Sequence, residues 1–257
     1  MDLPDILKKL TNSEISLHEA EKLLKMNHFE ELSNMAKVDI HRTRRTGIPE
    51  AIIADCKTCE EVVSISRVHL KTDGRVIITR AGHEYFEKLK ALADEIKAPI
   101  RYSKPARFVV IGDQLKRTGG RIGVISAGTA DIPVAEEAKM IAEEMGCSVT
   151  TIYDVGVAGI HRLFPELTKL IANGVDAVVV AAGREGTLPA VVAGLVDAPV
   201  IGVPVSTGYG AGGKGEAALL SMLQSCSVLT VVNIDAGFVA GAFAARIANL
   251  AAQHRNH

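Results

Sequence analysis

The second half of this 257-residue chain alternates between short apolar runs and segments with apolar residues at helical spacing. Strands that alternate with helices of this length form βαβ units, in which right-handed crossovers build a parallel sheet. The pattern therefore predicts an α/β fold from residue 119 onward. The predicted strands cover 122–126, 148–153, 176–182, 199–203 and 228–232, and the predicted helices cover 134–145, 161–173, 187–195, 214–224 and 236–252.

The first half of the chain mixes helical and strand patterns and contains no repeat. Residues 3–37 are predicted to form short amphipathic helices, in which Ser16 and Glu19 match a capping box. The regular alternation begins only after residue 118, so we predict a mixed α/β N-terminal domain, 1–118, and a catalytic domain, 119–257. The other predicted N-terminal elements are a helix over 58–71, a strand over 75–79, a helix over 84–95 and a strand over 107–111.

Composition narrows the class of protein. Apolar residues make up 47 % of the chain and Trp is absent, so the core must consist of Val, Ile, Ala and Leu, as in a parallel sheet covered by helices. The net charge of −1 gives no field that attracts nucleic acid or membrane, and no apolar run approaches the ~20 residues of a membrane span. The chain starts without a secretory signal pattern, so we expect a cytoplasmic protein with reduced cysteines. The motif Cys56-Lys57-Thr58-Cys59 lacks zinc-ligand spacing and is predicted to start the helix over 58–71.

The segments that follow the predicted strands are the candidate site, because ligands bind at the carboxyl ends of strands in such sheets. The segment after the fourth strand is glycine-rich, and we call residues 206–215 the glycine loop. Its N–H groups suit an anion, although a flexible loop without a ligand is the alternative. The segments together supply residue types that bind a phosphate-bearing small molecule and move protons on it, namely Asp131, Glu185, His161, Arg162, Arg184 and Lys214.

Three assignments stay open on the residues alone. Asp131 is either a catalytic carboxylate or only the cap of the next helix. Arg44 and Arg45 lie either in a solvated basic turn or in a clamp for phosphate or carboxylate. Cys226 is either a small core residue or a nucleophile. The sequence has no G-x-G-x-x-G or phosphate-loop motif, which argues against an ordinary dehydrogenase or NTPase, whereas Mg²⁺ bridging substrate phosphates is compatible with it.

The C-terminal half, about residues 120–250, resembles the aminoimidazole ribonucleotide carboxylase/mutase family of purine synthesis. The resemblance is carried by the motifs IGVISAGTADIPVAEEA, VGVAGIHRLFPEL, VVVAAGREGTLPAVVAGLVDAPVIGVPVS and IDAGFVAGAFAARIA. It implies a three-layer flavodoxin-like fold, an octamer, and transfer of CO2 onto a ribonucleotide carbon with an active-site His. The chain departs from that family in its first loop, which is not serine-rich, and in its third loop, where Glu185 precedes Leu-Pro instead of a His.

Motifs spread over nearly the whole chain are similar to the pyridinium-3,5-biscarboxylic acid mononucleotide synthases of nickel-pincer cofactor biosynthesis. They are HRTRRTGIPEAI, VGVAGIHRL, GREGTLPAVVAGLVDAPVIGVPVSTGYG and LLSMLQSCS. This resemblance implies carboxylation of nicotinic acid adenine dinucleotide at C5 of its pyridinium ring, with cleavage of the phosphoanhydride and release of AMP. It also implies that Cys226 attacks C4 of the ring and that Mg²⁺ is the cofactor. The alternatives are a true aminoimidazole ribonucleotide carboxylase and a non-catalytic nucleotide sensor.

These arguments give a set of expected site residues. Cys226, Glu185, Asp131 and His161 are predicted to be catalytic, with Glu185 or Asp131 as the base. The predicted helix from Lys214 separates the glycine loop from Cys226 by about 15 Å at 1.5 Å per residue, so we expect active sites at subunit contacts. The resemblance implies that the assembly is a homo-octamer. The predicted substrate-binding residues are Ser126, Gly128, Thr129, Gly156, Gly159, Arg162, Gly183, Arg184, Gly186, Thr187, Ser206, Gly208, Tyr209, Gly210, Lys214, Arg44 and Arg45.

Overall fold

The computed structural model describes residues 3–26, 30–32, 36–38 and 42–255. Contacts divide the chain into two units. The first contains residues 1–78, 84–101 and 110–113, and the second contains residues 79–83, 102–109 and 114–257. In the described residues, no helix is both long and apolar enough to cross a membrane.

The first 113 residues combine short helices with two small sheets. Strands β1 and β2 pair antiparallel, and four further strands form a sheet in the order β3-β4-β6-β5. The elements are α1 (Leu3–Thr11), α2 (Leu17–Met26), β1 (Glu30–Leu32), β2 (Ala36–Val38), α3 (Arg42–Thr46), β3 (Ala51–Ile53), α4 (Cys59–Asp73), β4 (Val76–Thr79), α5 (His83–Ile96), β5 (Ile100–Ser103) and β6 (Phe108–Ile111).

The prediction of helices over residues 3–37 is right for α1 and α2 and wrong for β1 and β2. Each of these strands has only three residues, which is too short for a periodicity to separate strand from helix. Residues 27–29 and 33–35 of the predicted stretch lie outside the described part of the chain. The capping box at the head of α2 is confirmed, because the Glu19 amide donates to Ser16 Oγ at 3.2 Å and the Ser16 amide donates to the Glu19 carboxylate at 2.9 Å.

Helix α4 begins at the CxxC motif, as predicted. Thr58 is its N-cap and forms a reciprocal capping box with Glu61, and the helix ends at Gly74 in a left-handed conformation. Cys56 and Cys59 are both free thiols. The motif is therefore placed at a helix start, where Thr58 caps the helix.

The C-terminal unit is built on five parallel strands in the order β11-β10-β9-β7-β8. If β7 is counted as the first strand of this unit and the sheet is read from β8 to β11, the strand order is 2-1-3-4-5. This is the order of flavodoxin-like folds, and it confirms the predicted fold class. Its elements are β7 (Arg121–Ser126), α6 (Ile132–Glu144), β8 (Ser148–Ile152), α7 (Leu163–Asn173), β9 (Ala177–Ala182), α8 (Leu188–Ala193), β10 (Val200–Pro204), α9 (Glu216–Leu223), β11 (Thr230–Val231) and α10 (Gly237–Arg255), with short 3₁₀ turns at Thr129–Asp131 and Val157–Arg162.

The burial of the strands follows their place in the sheet. Strands β9 and β10 are buried along their whole length, because helices cover both faces, whereas the edge strand β8 alternates between exposed and half-buried residues. The fifth predicted strand, 228–232, is shortened to the two residues of β11, which pair only with β10. Helices α6 and α10 approach each other closely, and a Cβ at Gly241 would lie 2.2 Å from the Ala138 carbonyl oxygen. A side chain larger than hydrogen therefore has no room at that position.

Candidate active site

A cavity of about 600 Å³ opens at the carboxyl edge of the parallel sheet. It is lined by the segments that follow β7, β8, β9 and β10, and it lies at the switch point where the chain order reverses between β7 and β9. The sheet therefore brings four of the five predicted loops together. The lining residues that were predicted from the sequence are Asp131, Glu185, Gly128, Thr129, Gly156, Gly183, Arg184, Thr187, Gly208 and Tyr209.

Asp131 connects the loops after β7 and β9. Its carboxylate accepts a hydrogen bond from the Gly128 amide at 2.8 Å and another from the Gly183 amide at 3.0 Å. Burial raises the pKa of the Asp131 carboxyl above its ordinary value, the backbone donors and Thr207 oppose the rise, and Glu185 adds to it. Asp131 does not cap α6 with its side chain. It holds the two loops at a fixed spacing.

Gly183 suits this close approach. A Cβ at Gly183 would lie 3.0 Å from the Asp131 carboxylate oxygen and 3.3 Å from the Val205 carbonyl oxygen. A side chain at residue 183 would therefore crowd the hydrogen bond to Asp131, and its neighbours would have to shift.

Glu185 and Asp154 are the other carboxylates that line the cavity. Glu185 is exposed, two residues beyond Gly183 on the same loop. Asp154 follows β8 with a left-handed backbone, φ 58°, and its carboxylate accepts a hydrogen bond from Arg162 at 2.6 Å. Asp154 is not among the residues predicted from the sequence, although its place directly after a strand could have marked it. Thr207, which also lines the cavity, was missed in the same way.

Arg184 and Tyr209 form a stacked pair on the cavity lining. The Arg184 guanidinium carbon lies 3.8 Å from the centroid of the Tyr209 ring, and Arg184 also donates a hydrogen bond to the Tyr209 hydroxyl at 2.6 Å. Arg184 adopts a left-handed backbone, φ 55°, a conformation that costs a non-glycine residue roughly 1 kcal/mol. The pair joins the β9 loop to the glycine loop.

The glycine loop is held at its base and open towards its tip. The Ser206 amide donates to the Asp235 carboxylate at 2.9 Å, which fixes the loop to the segment after β11. Gly208 and Tyr209 line the cavity, whereas Gly210 and Lys214 are exposed outside its lining. Helix α9 begins directly after the loop, at Glu216.

The remaining predicted residues lie elsewhere in the described chain. His161 is exposed in the 3₁₀ turn after β8, and Ser126 is buried at the end of β7, where its hydroxyl accepts from the Asp154 amide at 3.3 Å. A Cβ at Gly159 would lie 2.8 Å from the Arg162 side chain, and one at Gly186 would lie 2.7 Å from the Ala218 carbonyl oxygen, so these glycines serve packing. Arg44 and Arg45 lie in α3, within the other unit, and the side chain of Arg44 is outside the described part.

Cys226 lies beyond the end of α9 with an exposed side chain. It is not one of the residues that line the cavity in the described chain. Helix α9 has eight residues, about 12 Å at 1.5 Å per residue, and it stands between the glycine loop and the thiol. The neighbouring Ser227 hydroxyl donates to the Ala190 carbonyl at 2.9 Å, which ties this segment to α8.

Two acidic residues of α6, Glu136 and Glu137, hold this helix against neighbouring segments. Glu137 accepts hydrogen bonds from Thr79 and from the Phe238 amide, the latter at 3.0 Å, and burial raises the pKa of the Glu137 carboxyl. Glu136 accepts from the Tyr153 hydroxyl at 2.5 Å, directly before Asp154. These contacts fix α6, which begins directly after Asp131. They join residues far apart in the chain and left no signal in the sequence.

In the described residues, no group of three or more His, Cys, Asp or Glu side chains is arranged to hold a metal ion. Mg²⁺ needs only one or two protein carboxylates when substrate phosphates and waters supply its other ligands. Asp154, with a half-exposed carboxylate in the cavity lining, fits that requirement.

Comparisons with known proteins agree with this architecture. Residues 121–257 match the model of the AIR carboxylase family, and residues 29–113 match the LarB/PurE-like N-terminal domain. An uncharacterized protein of Methanocaldococcus jannaschii is 43 % identical over 97 % of this chain and 98 % of its own length. An N5-carboxyaminoimidazole ribonucleotide mutase of the same organism is 37 % identical over 45 % of this chain and 71 % of its own, and one of Thermotoga maritima is 33 % identical over 34 % and 51 %.

Proposed function

The chain belongs to the AIR carboxylase family and carries a LarB/PurE-like N-terminal domain, and from this membership we propose that it carboxylates nicotinic acid adenine dinucleotide. The products are pyridinium-3,5-biscarboxylic acid mononucleotide and AMP. The family is an enzyme family of carboxylase and mutase type. The reaction, the substrate and the place in nickel-pincer cofactor biosynthesis are the proposal.

One observation carries the proposal most directly. The cavity at the switch point is lined by Asp131, Asp154 and Glu185, with Arg184 as the cation in its described lining. Asp154 is paired with Arg162, and Asp131 and Glu185 suit the positively charged ring nitrogen of a pyridinium better than they suit a neutral imidazole. The pyridinium ring of the dinucleotide carries such a charge, and Arg162 and Lys214, which lie outside the lining, would bind its phosphates.

The ring chemistry requires a nucleophile and a base. A pyridinium ring is electron-poor and does not attack CO2. When the Cys226 thiolate bonds to C4, the ring electrons move to the nitrogen and C5 becomes the nucleophilic carbon of an enamine. C5 then forms a C–C bond with CO2 derived from bicarbonate. Loss of the C5 proton to a base and departure of the thiolate from C4 restore the aromatic cation.

We assign the base to Glu185. Glu185 lines the cavity and its side chain is exposed, whereas both carboxylate oxygens of Asp131 accept hydrogen bonds from backbone amides. Asp131 is then a positioning residue that fixes the loop carrying Glu185. We expect Glu185→Gln to lower the rate of carboxylation by about a hundredfold or more. Unchanged turnover in both Glu185→Gln and Asp131→Asn would contradict a carboxylate base at this edge.

The thiol is proposed to come from a second copy of the chain. Cys226 lies outside the cavity lining, and an active site at a subunit contact of a homo-octamer brings one copy's Cys226 to another copy's cavity. His161, exposed on the turn after β8, would hold the new carboxylate or relay its proton. Arg44 and Arg45 are proposed to form a clamp for phosphate or carboxylate.

Mg²⁺ is proposed to act on the phosphoanhydride. Asp154 would hold the ion together with the substrate phosphates. The bound ion would stabilise the negative charge that develops when water attacks phosphorus and AMP leaves. The residues of the chain bind and orient the dinucleotide, and the cations Arg162 and Lys214 neutralise its phosphates.

The test is incubation of the protein with nicotinic acid adenine dinucleotide, bicarbonate and Mg²⁺, followed by mass spectrometry. We expect a mononucleotide that has gained one carboxylate, free AMP, and a protein adduct that is lost in Cys226→Ala. Removal of Mg²⁺ by a chelator should stop AMP release and spare the ring adduct. A dinucleotide that stays unmodified would contradict the proposal.

The second candidate is the N5-carboxyaminoimidazole ribonucleotide mutase reaction, because relatives of that name match the chain. The acid at Glu185 in place of a His argues against it. An assay with that ribonucleotide separates the two functions, since conversion of the ribonucleotide without any change in the dinucleotide would favour the mutase.

A further inference from the structure

We propose that the Tyr209 ring recognises the positive charge of the pyridinium ring, and that Arg184 covers this ring while the substrate is absent. The inference rests on the proposed function and adds to it the residue that selects the oxidised, charged ring. It concerns binding and requires no bond to form or break.

The Arg184–Tyr209 stack shows what the Tyr209 ring accepts. A guanidinium is a flat cation, and here its central carbon lies 3.8 Å from the ring centroid, well inside the ~6 Å range of a cation–π contact. A pyridinium ring is also flat and cationic. The side chain of Arg184 therefore occupies the place that a substrate ring of the same shape and charge would take.

The surroundings favour exchange of one cation for the other. Asp131, Asp154 and Glu185 line the same cavity as the stack, so a cation that replaces Arg184 there remains among carboxylates. Arg184 is held in a left-handed backbone conformation, and the Tyr209 side chain is 74 % exposed. Neither side chain is fixed by burial in the core, so the stack can open without a change in the fold.

The position of Tyr209 between two glycines supports a mobile ring. Gly208 and Gly210 flank it, and a Cβ at Gly210 would have nothing within 4 Å. When Arg184 leaves the ring, its guanidinium is free to pair with a substrate phosphate, which binds arginine well. Binding then replaces one cation–π contact by another and adds an ion pair.

The consequence is selection by ring charge. The reduced, 1,4-dihydro form of the dinucleotide has the same phosphates and adenosine, but its ring is neutral. We expect the protein to bind the oxidised form about tenfold more tightly, a difference typical of one partly desolvated cation–π contact. Removal of the Tyr209 ring should abolish this ratio.

The experiment measures calorimetric dissociation constants for both forms without bicarbonate or Mg²⁺. All proteins carry Cys226→Ala, so that addition of the thiolate to the oxidised ring does not contribute. The variants are Tyr209→Leu, which removes the aromatic face, and Tyr209→Phe, which keeps the face and loses the hydroxyl bonded to Arg184.

The outcomes separate this inference from the proposed function. A ratio near ten that persists in Tyr209→Phe and vanishes in Tyr209→Leu supports it. Equal binding of both forms to the parent protein, or an undiminished ratio in Tyr209→Leu, overturns the inference and leaves the proposed function intact. If neither form binds, the inference and the proposed function fail together.

Discussion

Two regions of the C-terminal unit carry the groups of the proposed reaction, and they are built differently. The cavity is enclosed by loops that Asp131 ties together through the Gly128 and Gly183 amides. The segment around Cys226 is exposed and apolar. We define the Cys226 face by the side chains of Leu220, Leu223, Cys226 and Val228, and its three apolar members are each more than 60 % exposed.

The contrast indicates that each region lacks what the other supplies. The cavity has acids, a cation and an aromatic ring, but no thiol in its described lining. The Cys226 face has a thiol and apolar side chains that water solvates poorly. A contact between copies would cover the apolar residues and complete the cavity. The following predictions test this division, beginning with the one of largest effect.

Complementation tests the division most directly. Cys226→Ala and Glu185→Gln should each be nearly inactive in carboxylation, because each removes one required group. If the two groups of one site come from different copies, co-expressed variants form mixed assemblies in which about one site in four is intact. We expect activity to return towards a quarter of the wild-type rate, measured by mass spectrometry on assemblies purified through two different tags.

The control is co-expression of two differently tagged Cys226→Ala chains, which should remain inactive. Mixed assemblies of the two variants that stay as inactive as the single variants would show that both groups act within one copy. The cavity and the Cys226 face would then have to meet by movement of α9 within a single chain.

A charged substitution in the Cys226 face tests whether this face contacts another copy. Leu223, 62 % exposed on α9, is changed to Asp, which places a carboxylate in the proposed contact at little cost to the core. We expect a smaller assembly by light scattering and carboxylation lowered with it. The matched control is Leu17→Asp, a leucine 67 % exposed in the N-terminal unit. An assembly of wild-type size in Leu223→Asp would place the contact elsewhere.

A substitution of Asp131 tests how firmly the cavity loops are held. An Asn side chain has one acceptor oxygen and can satisfy only one of the two amides, so Asp131→Asn should lower the free energy of unfolding by about 1–3 kcal/mol. Because the folded-state pKa of Asp131 is raised, the folded protein binds its proton more tightly than the unfolded chain does. The contribution of Asp131 to wild-type stability should therefore fall as pH rises above the ordinary value of 3.8.

The variant lacks this contribution, so the stability difference between wild type and Asp131→Asn should shrink from pH 4 towards neutrality. Urea unfolding of both proteins at several pH values measures the difference, in which titrating groups that do not interact with Asp131 cancel. A difference that grows with pH would mean that the two backbone donors outweigh burial and that the pKa is lowered.

The sequence was sufficient to predict the parallel sheet and the sheet edge at which the candidate site lies. The alternation of strands and helices is local, and a parallel sheet brings Asp131, Glu185 and Tyr209 to one edge whatever the details. The contacts between them were not predictable, because the Asp131–Gly183 bond and the Arg184–Tyr209 stack join residues far apart in the chain. Asp154 could have been selected from its place directly after a strand, but its pairing with Arg162 depends on the turn between them and was not predictable.

The smallest expected effect concerns how firmly the thiol is held. Ser227 Oγ donates to the Ala190 carbonyl at 2.9 Å, which anchors the Cys226 segment to α8, whereas the cavity loops are held by a buried carboxylate with two donors. Ser227→Ala should therefore lower the unfolding free energy by only about 0.5–1.5 kcal/mol, less than Asp131→Asn. Urea unfolding of Ser227→Ala beside the exposed control Ser221→Ala gives the value. An effect as large as that of Asp131→Asn would mean that the thiol segment is as rigidly built as the cavity, and the contrast between the two regions would then lie in their chemistry alone.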